Sequence, residues 1–286
     1  MSVIAISRQL TSPEALAVYS TRMDRSNGYE AVSEEFLARR GNSTTWSIAI
    51  GVKEVRKWAK TLPRASSVID LGCGPGFPIT VVLVEEGLQV FGVDAAPSFV
   101  AAFRRNLPDT PIICESVLES RLFDRTFDAV LSIGLMFLLK AEEQHRLIQR
   151  FADILVPGGR LLFTSTAKPA VWNDAMTGLE SISLGAEEYR KLLGAAGISV
   201  AEEYEDVGES HYFDAFKERI ELRVNRSHEI GYCSVIVSEL RASTVANSVY
   251  TTLRFLFAKI GSFSDMGMKS SIVVESTSVQ MESESH

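Results

Sequence analysis

From about residue 66 to residue 216 the chain alternates short apolar runs with stretches whose apolar residues recur every three or four positions. The first pattern predicts strands and the second predicts helices that bury one face. Strands are expected over residues 66–71, 88–94, 111–115, 127–134, 160–165, 198–206 and 211–216. Helices are expected between them over 80–86, 98–106, 142–155 and 186–196, with the Pro157–Gly158–Gly159 turn stopping the third. The run FDAVLSIG is apolar almost throughout. Such a strand is buried on both faces, as in a parallel sheet covered by helices. Five βα repeats and a closing hairpin predict an α/β fold: a doubly wound, Rossmann-like sheet of seven strands with an antiparallel closing hairpin. In that architecture a ligand lies at the carboxyl ends of the strands, where strand order reverses.

Outside this block the pattern changes. Residues 13–40 read as two helical pieces, marked by Ala15, Leu16 and Tyr19 and then by Tyr29, Val32, Phe36 and Leu37, and a further helix is expected over 46–61, before Pro63. The chain therefore divides into an N-terminal helical cap over the site (1–62), an α/β domain (63–217) and a C-terminal extension (218–286). In the extension, Val245, Val249, Leu253, Phe257 and Ile260 predict an amphipathic helix. The last ten residues, TSVQMESESH, have the composition of a disordered tail.

Composition narrows the partners. The 286 residues are 46% hydrophobic and 23% charged, ordinary for a globular enzyme. The formal net charge of −7 argues against a nucleic acid as habitual partner. Three cysteines, Cys73, Cys114 and Cys233, form no CxxC pair. That sparse count fits a reducing compartment, with no zinc site and no metal expected. The longest apolar stretch, residues 129–139, has 11 residues, against the roughly 18 or more of a membrane span. A soluble cytoplasmic protein acting on a small molecule, without a membrane partner, is the expectation.

The chemistry concentrates in VIDLGCGPGFPIT, residues 68–80. A strand runs into Gly72, Gly74 and Gly76 and a helix follows directly. Glycine is needed where the backbone turns tightly and where a ligand touches the main chain. The spacing is GxGxG rather than the dinucleotide GxGxxG, and Asp70 stands two residues before the first glycine. A carboxylate there suits a ligand with a cationic amine and no pyrophosphate. Asp94 closes the next strand, where an acid can accept both hydroxyls of a ribose. Glu115 and Ser116 follow the third strand, where an adenine is commonly met. Ser132 and Gly134 end the fourth, and Gly134 lets a ligand approach the backbone. Trp172 and Asn173, read as a loop, are expected to form either an aromatic wall for a substrate or a small packing anchor. His211 in GESHYF, on the closing hairpin, is the histidine best placed for a general base, with Tyr212 beside it as a substrate contact.

These motifs, with FDAVLSIGLMFLL and LVPGGRLLFTS, resemble class I S-adenosylmethionine-dependent methyltransferases over roughly residues 26–217. NGYEAVSEEFLARR, SLGAEEYRKLL and GESHYF are similar to a branch acting on small molecules beside biosynthetic enzymes. The resemblance implies S-adenosylmethionine as cofactor and contacts to it from Asp70, Gly72, Gly74, Asp94, Glu115 and Ser132, with Cys73, Ala95 and Ser116 in the same turns. It also implies that Tyr29 and Arg39 cap the methionine end. It offers no counterpart for residues 218–286. The implied reaction is methyl transfer to oxygen or nitrogen of a small organic molecule, as in secondary metabolism. On this reading Asp94→Ala weakens cofactor binding far more than apo stability.

Three alternatives stand beside it. A short-chain dehydrogenase needs a tyrosine followed four positions on by lysine, which no tyrosine here has. Base methylation uses a DPPY-like turn or a Pro-Cys nucleophile, and the chain has SIGL and no Pro-Cys. A non-catalytic module keeping the fold is distinguished by whether the cofactor binds.

Overall fold

The computed structural model describes residues 25–40 and 51–219, and three strand segments at 222–226, 232–237 and 269–273. The helical pieces expected at 13–24 and 245–260, and the tail, lie outside the described residues.

Five strands run parallel: β1 (Ser67–Leu71), β2 (Gln89–Asp94), β3 (Ile112–Cys114), β4 (Phe127–Ser132) and β5 (Leu155–Ser165). A small hairpin follows, β6 (Ala170–Asn173) with β7 (Glu180–Ser183), and then β8 (Ile198–Glu205) and β9 (His211–Lys217). The main sheet has seven strands in the order β3-β2-β1-β4-β5-β9-β8. β9 is antiparallel to both its neighbours, so the expected closing hairpin is present with its second strand innermost. Strand order reverses between β1 and β4, which places the crevice there.

The helices are α1 (Ser33–Arg40), α2 (Val52–Ala59), α3 (Ile79–Glu85), α4 (Pro97–Asn106), α5 (Ala141–Ile154) and α6 (Ala186–Ala195). They cover both faces of the sheet, and successive strand residues feed opposite cores as the pleat requires. Ile69 and Leu71 of β1 pack with Leu147, Phe151 and Leu193 on one side. Val68 packs with Val55, Trp58 and Leu83 on the other.

α5 shows how sequence becomes packing. Leu147, Ile148, Phe151 and Ala152 form its buried stripe, and Glu143 accepts a hydrogen bond from the Lys140 N–H at its start. Gln144 occupies a core position of that stripe and is fully buried. Its amide donates to the carbonyls of Leu139 and Ile182, both at 2.8 Å, and accepts from the Tyr189 hydroxyl at 2.6 Å. Tyr189 also bonds Ser165 and accepts from the Leu184 N–H. The network ties the segment after β4, the end of β5 and the β6–β7 hairpin into one rigid support. Removing the hydroxyl strands the Gln144 carbonyl and the Leu184 N–H in the core. Tyr189→Phe is therefore expected to cost about 2–4 kcal/mol, read as a lower urea midpoint at unchanged m-value.

Two expectations change. The Pro-Gly-Gly turn does not simply end a helix, because β5 already pairs at Leu155 with Phe127 and resumes at Arg160 with Ala129. Residues 156–159 bulge between those pairs, and a side chain at Gly159 would stand 2.8 Å from the Val156 carbonyl. Trp172 lies in β6 rather than in a loop. The extension, for its part, contributes a separate three-stranded sheet of β10 (Leu222–Arg226), β11 (Tyr232–Val237) and β12 (Lys269–Val273).

Candidate active site

A cavity of about 770 Å³ opens at the β1–β4 switch point. Its floor is the turn after β1. Gly74 has φ +55° there, and a side chain built on it would meet nothing within 4 Å, so the backbone faces open cavity. Gly76 differs, because a side chain would press on Leu107 at 2.9 Å. One glycine bares the main chain to a ligand, and the other lets α4 pack.

The two predicted acids do different work. Asp94 accepts hydrogen bonds from the Gly74 N–H at 2.8 Å and the Ala96 N–H at 2.9 Å. It holds the glycine turn and keeps lone pairs for a further partner on each oxygen. Burial raises its pKa, partly offset by those N–H donors. Asp70 is 2% exposed and accepts from the Thr80 hydroxyl at 2.7 Å. Burial, with a smaller contribution from the Asp94 charge, pushes its pKa up to about 7 despite the Thr80 hydrogen bond.

Residues 25–40 form one rim. Glu30 accepts from the Ser98 N–H at 3.0 Å and the Ser98 hydroxyl at 2.7 Å. It thereby caps α4, whose own N-cap, Ala96, has no acceptor side chain. Phe36 packs on Phe99 with ring centroids 4.8 Å apart. The Tyr29 hydroxyl donates to Asp174 at 3.2 Å, and Asp174 also accepts from the Met176 and Thr177 N–H groups. The N-terminal segment thus reaches across the cavity to the tip of the β6–β7 hairpin. Arg39 pairs with Glu35 at 2.5 Å, and Arg25 pairs with Glu119.

Of the residues singled out by sequence, Tyr29, Arg39, Asp70, Gly72, Cys73, Gly74, Asp94, Ala95, Ser116, Gly134 and Tyr212 line the cavity. Glu115 does not: it is exposed, and only its N–H takes part, bonding the Asp94 carbonyl at 3.0 Å. Ser132 is fully buried inside the sheet, and its hydroxyl has no hydrogen-bond partner among the described residues. Trp172 stands behind Phe137, a lining residue, with ring centroids 5.4 Å apart. His211 is also outside the lining. Alternation along β9 puts it on the face of Phe213, where it bonds Glu203 at 2.8 Å and meets the Phe213 ring edge. Tyr212, one residue on, faces the other core. The sequence reading did not single out Thr164, Asp174 or Ser210, which also line the cavity. The DAMTG and DVGES turns between strand-like runs were the available signal for Asp174 and Ser210.

The strand–glycine–helix unit and the acid that closes the next strand meet at the switch point of this sheet. Residues 68–159 match the family model described as Methyltransferase domain. An uncharacterised methyltransferase of Mycobacterium tuberculosis is 34% identical over 134 residues, 43% of this chain and 53% of that protein. A tRNA U34 carboxymethyltransferase of Hahella chejuensis is 28% identical over 134 residues, 43% of this chain and 41% of that protein. The chain thus spans about half the length of the relatives it matches, or less. Among solved structures, magnesium protoporphyrin IX methyltransferase from Synechocystis, with S-adenosylhomocysteine bound, shares the fold. Its TM-score is 0.52 at 16% identity, covering 68% of this chain and all of that one.

Proposed function

We propose that this chain transfers a methyl group from S-adenosylmethionine to an oxygen or nitrogen of a small organic molecule. One observation carries the reading. A single cavity runs from the bare Gly74 backbone and Asp94, past Ser116, to the apolar wall after β4, with room for a nucleoside and an acceptor together.

The residues fit such a cofactor. The main chain at Gly72 and Gly74 would carry the amino-acid end beside Asp70, and the spare lone pairs of Asp94 suit ribose hydroxyls. Ser116 and Val117 flank the position for the base. When bound, S-adenosylmethionine supplies a methyl group on a sulfonium, with a neutral thioether as leaving group. The chain's task is to align an acceptor in line with that methyl and exclude water. Ile133, Phe137 and Leu138 form the apolar wall for this, and Tyr29 with Asp174 closes the rim. Residues 1–62 serve as the cap, 63–217 as the catalytic domain and 218–286 as an appended unit. The setting is a cytoplasmic one, in biosynthesis of small metabolites.

The carboxymethyltransferase relative favours an RNA acceptor instead. Against that stand the net charge of −7 and the pairing of both arginines at the rim with glutamates, which leaves little to draw phosphates. Calorimetry with S-adenosylmethionine is expected to give saturable heat, followed by transfer of labelled methyl to a component of a metabolite extract. A folded protein with no heat of binding overturns the enzymatic reading. Label on tRNA rather than on small molecules selects the relative's chemistry.

A further inference from the structure

Asp206, in the turn between β8 and β9, is not itself in the cavity lining, yet it bonds three residues that are. One carboxylate oxygen accepts from the Gly208 N–H at 2.8 Å and the Ser210 N–H at 3.0 Å. The other accepts from the Tyr212 hydroxyl at 2.9 Å. The Tyr212 ring is stacked on Tyr204, with centroids 5.1 Å apart and planes 5° from parallel. A side chain built on Gly51 would lie 3.1 Å from the Tyr212 hydroxyl and 3.3 Å from Ile79. Ile79 and Tyr212 both line the cavity, and Tyr212 is otherwise buried, 1% exposed.

Hydrogen-bond polarity follows from this geometry. A phenol has one proton and two lone pairs. Here the proton is committed to a carboxylate, which can only accept. Among the described residues no other hydrogen bond reaches the Tyr212 oxygen, so its lone pairs remain for a ligand. Burial and the bond to Asp206 both push the Tyr212 pKa up, which keeps the phenol protonated. The negative charge behind it disfavours an anion in front. The neighbouring wall, Ile79, Ile133 and Phe137, is apolar.

We infer that the acceptor is an uncharged molecule with an apolar body whose hydroxyl or amine N–H is donated to the Tyr212 oxygen, and that Asp206 is the positioning residue setting that polarity. The inference rests on the methyltransferase reading and narrows its acceptor class. Carboxylates and phosphates are excluded at this position.

The test uses the full chain loaded with S-adenosylhomocysteine and three probes of one shape: naphthol, methoxynaphthalene and naphthoate. Naphthol is expected to bind about tenfold more tightly than the other two. In Asp206→Asn the amide oxygen keeps the turn, while its N–H donates to Tyr212 and releases the phenol proton toward the cavity. Naphthoate is then expected to overtake naphthol. In Tyr212→Phe the preference for naphthol over methoxynaphthalene disappears. Saturable S-adenosylhomocysteine binding with no naphthol preference in the wild type overturns this inference alone. So does an Asp206→Asn variant that weakens all three probes alike, the signature of a merely structural aspartate. If S-adenosylhomocysteine itself fails to bind, the methyltransferase reading falls, and this inference with it.

Discussion

Replacing Asp94 by alanine is expected to lower S-adenosylmethionine affinity by about a hundredfold or more and to destabilise the apo protein by about 2–4 kcal/mol. The first effect is the loss of a charged acceptor for two ribose hydroxyls. The second follows from what the carboxylate already does without ligand. It satisfies the Gly74 and Ala96 N–H groups, and alanine leaves both donors buried beside an enlarged cavity. Sequence reasoning expects the loss of binding to be far larger than the loss of apo stability. The structure couples them, because Asp94, the proposed ribose acceptor, also fixes the glycine turn. Asp94→Asn is the instructive intermediate. The Gly74 and Ala96 N–H groups bond opposite carboxylate oxygens, and the amide oxygen can accept from only one of them, so the variant should recover part of the stability while binding remains weak. Calorimetry and urea unfolding of the two variants check this. Wild-type affinity in Asp94→Ala would remove the ribose role, and wild-type stability would remove the structural one.

Asp70→Asn is expected to act in opposite directions on stability and on binding. A buried carboxylic acid with its pKa raised from 3.8 to about 7 retains its proton where an unfolded chain has released it. Between those pH values the folded state holds the extra proton, so stability falls as pH rises through the window and levels off above it. The shift corresponds to about 4 kcal/mol at most. Asparagine has no proton to lose and can still accept from Thr80. Relative to wild type, the apo variant should therefore gain stability from pH 4 to pH 7 and hold the gain above. Binding should go the other way. A cofactor ammonium favours the ionised carboxylate, so affinity in the wild type should rise through pH 7 with release of a proton, visible as a dependence of binding heat on the buffer. The variant should bind about tenfold or more weakly, without that release. A variant-minus-wild-type stability difference that stays flat with pH would show that Asp70 is ionised in the free protein.

Local signals made most of the sheet legible. β1, β2, β4 and β5 are buried enough to read as apolar runs, and α5 and α6 carry regular stripes. β6 and β7 escaped notice because AVWN and ESIS are short and face partly outward. Their pairing depends on the Asp174 turn and on Gln144, a polar residue within an otherwise apolar helix stripe. Gln144 reads as a surface residue until the Leu139 and Ile182 carbonyls are brought to it.

The chain by itself determined the strand–glycine–helix unit, the acids at two neighbouring strand ends and the alternating βα order, because each depends on residues adjacent along the backbone. Tertiary structure alone decided which of two consecutive residues, His211 or Tyr212, meets the cavity. Pleat parity assigns them to opposite faces, and only packing against β5 and α2 fixes which face is which. It also decided that Glu30 caps a helix 68 residues further on and that Asp206 accepts the Tyr212 hydroxyl beside the cavity. Those hydrogen bonds join groups whose approach is set by folding, and no periodicity in the sequence encodes them.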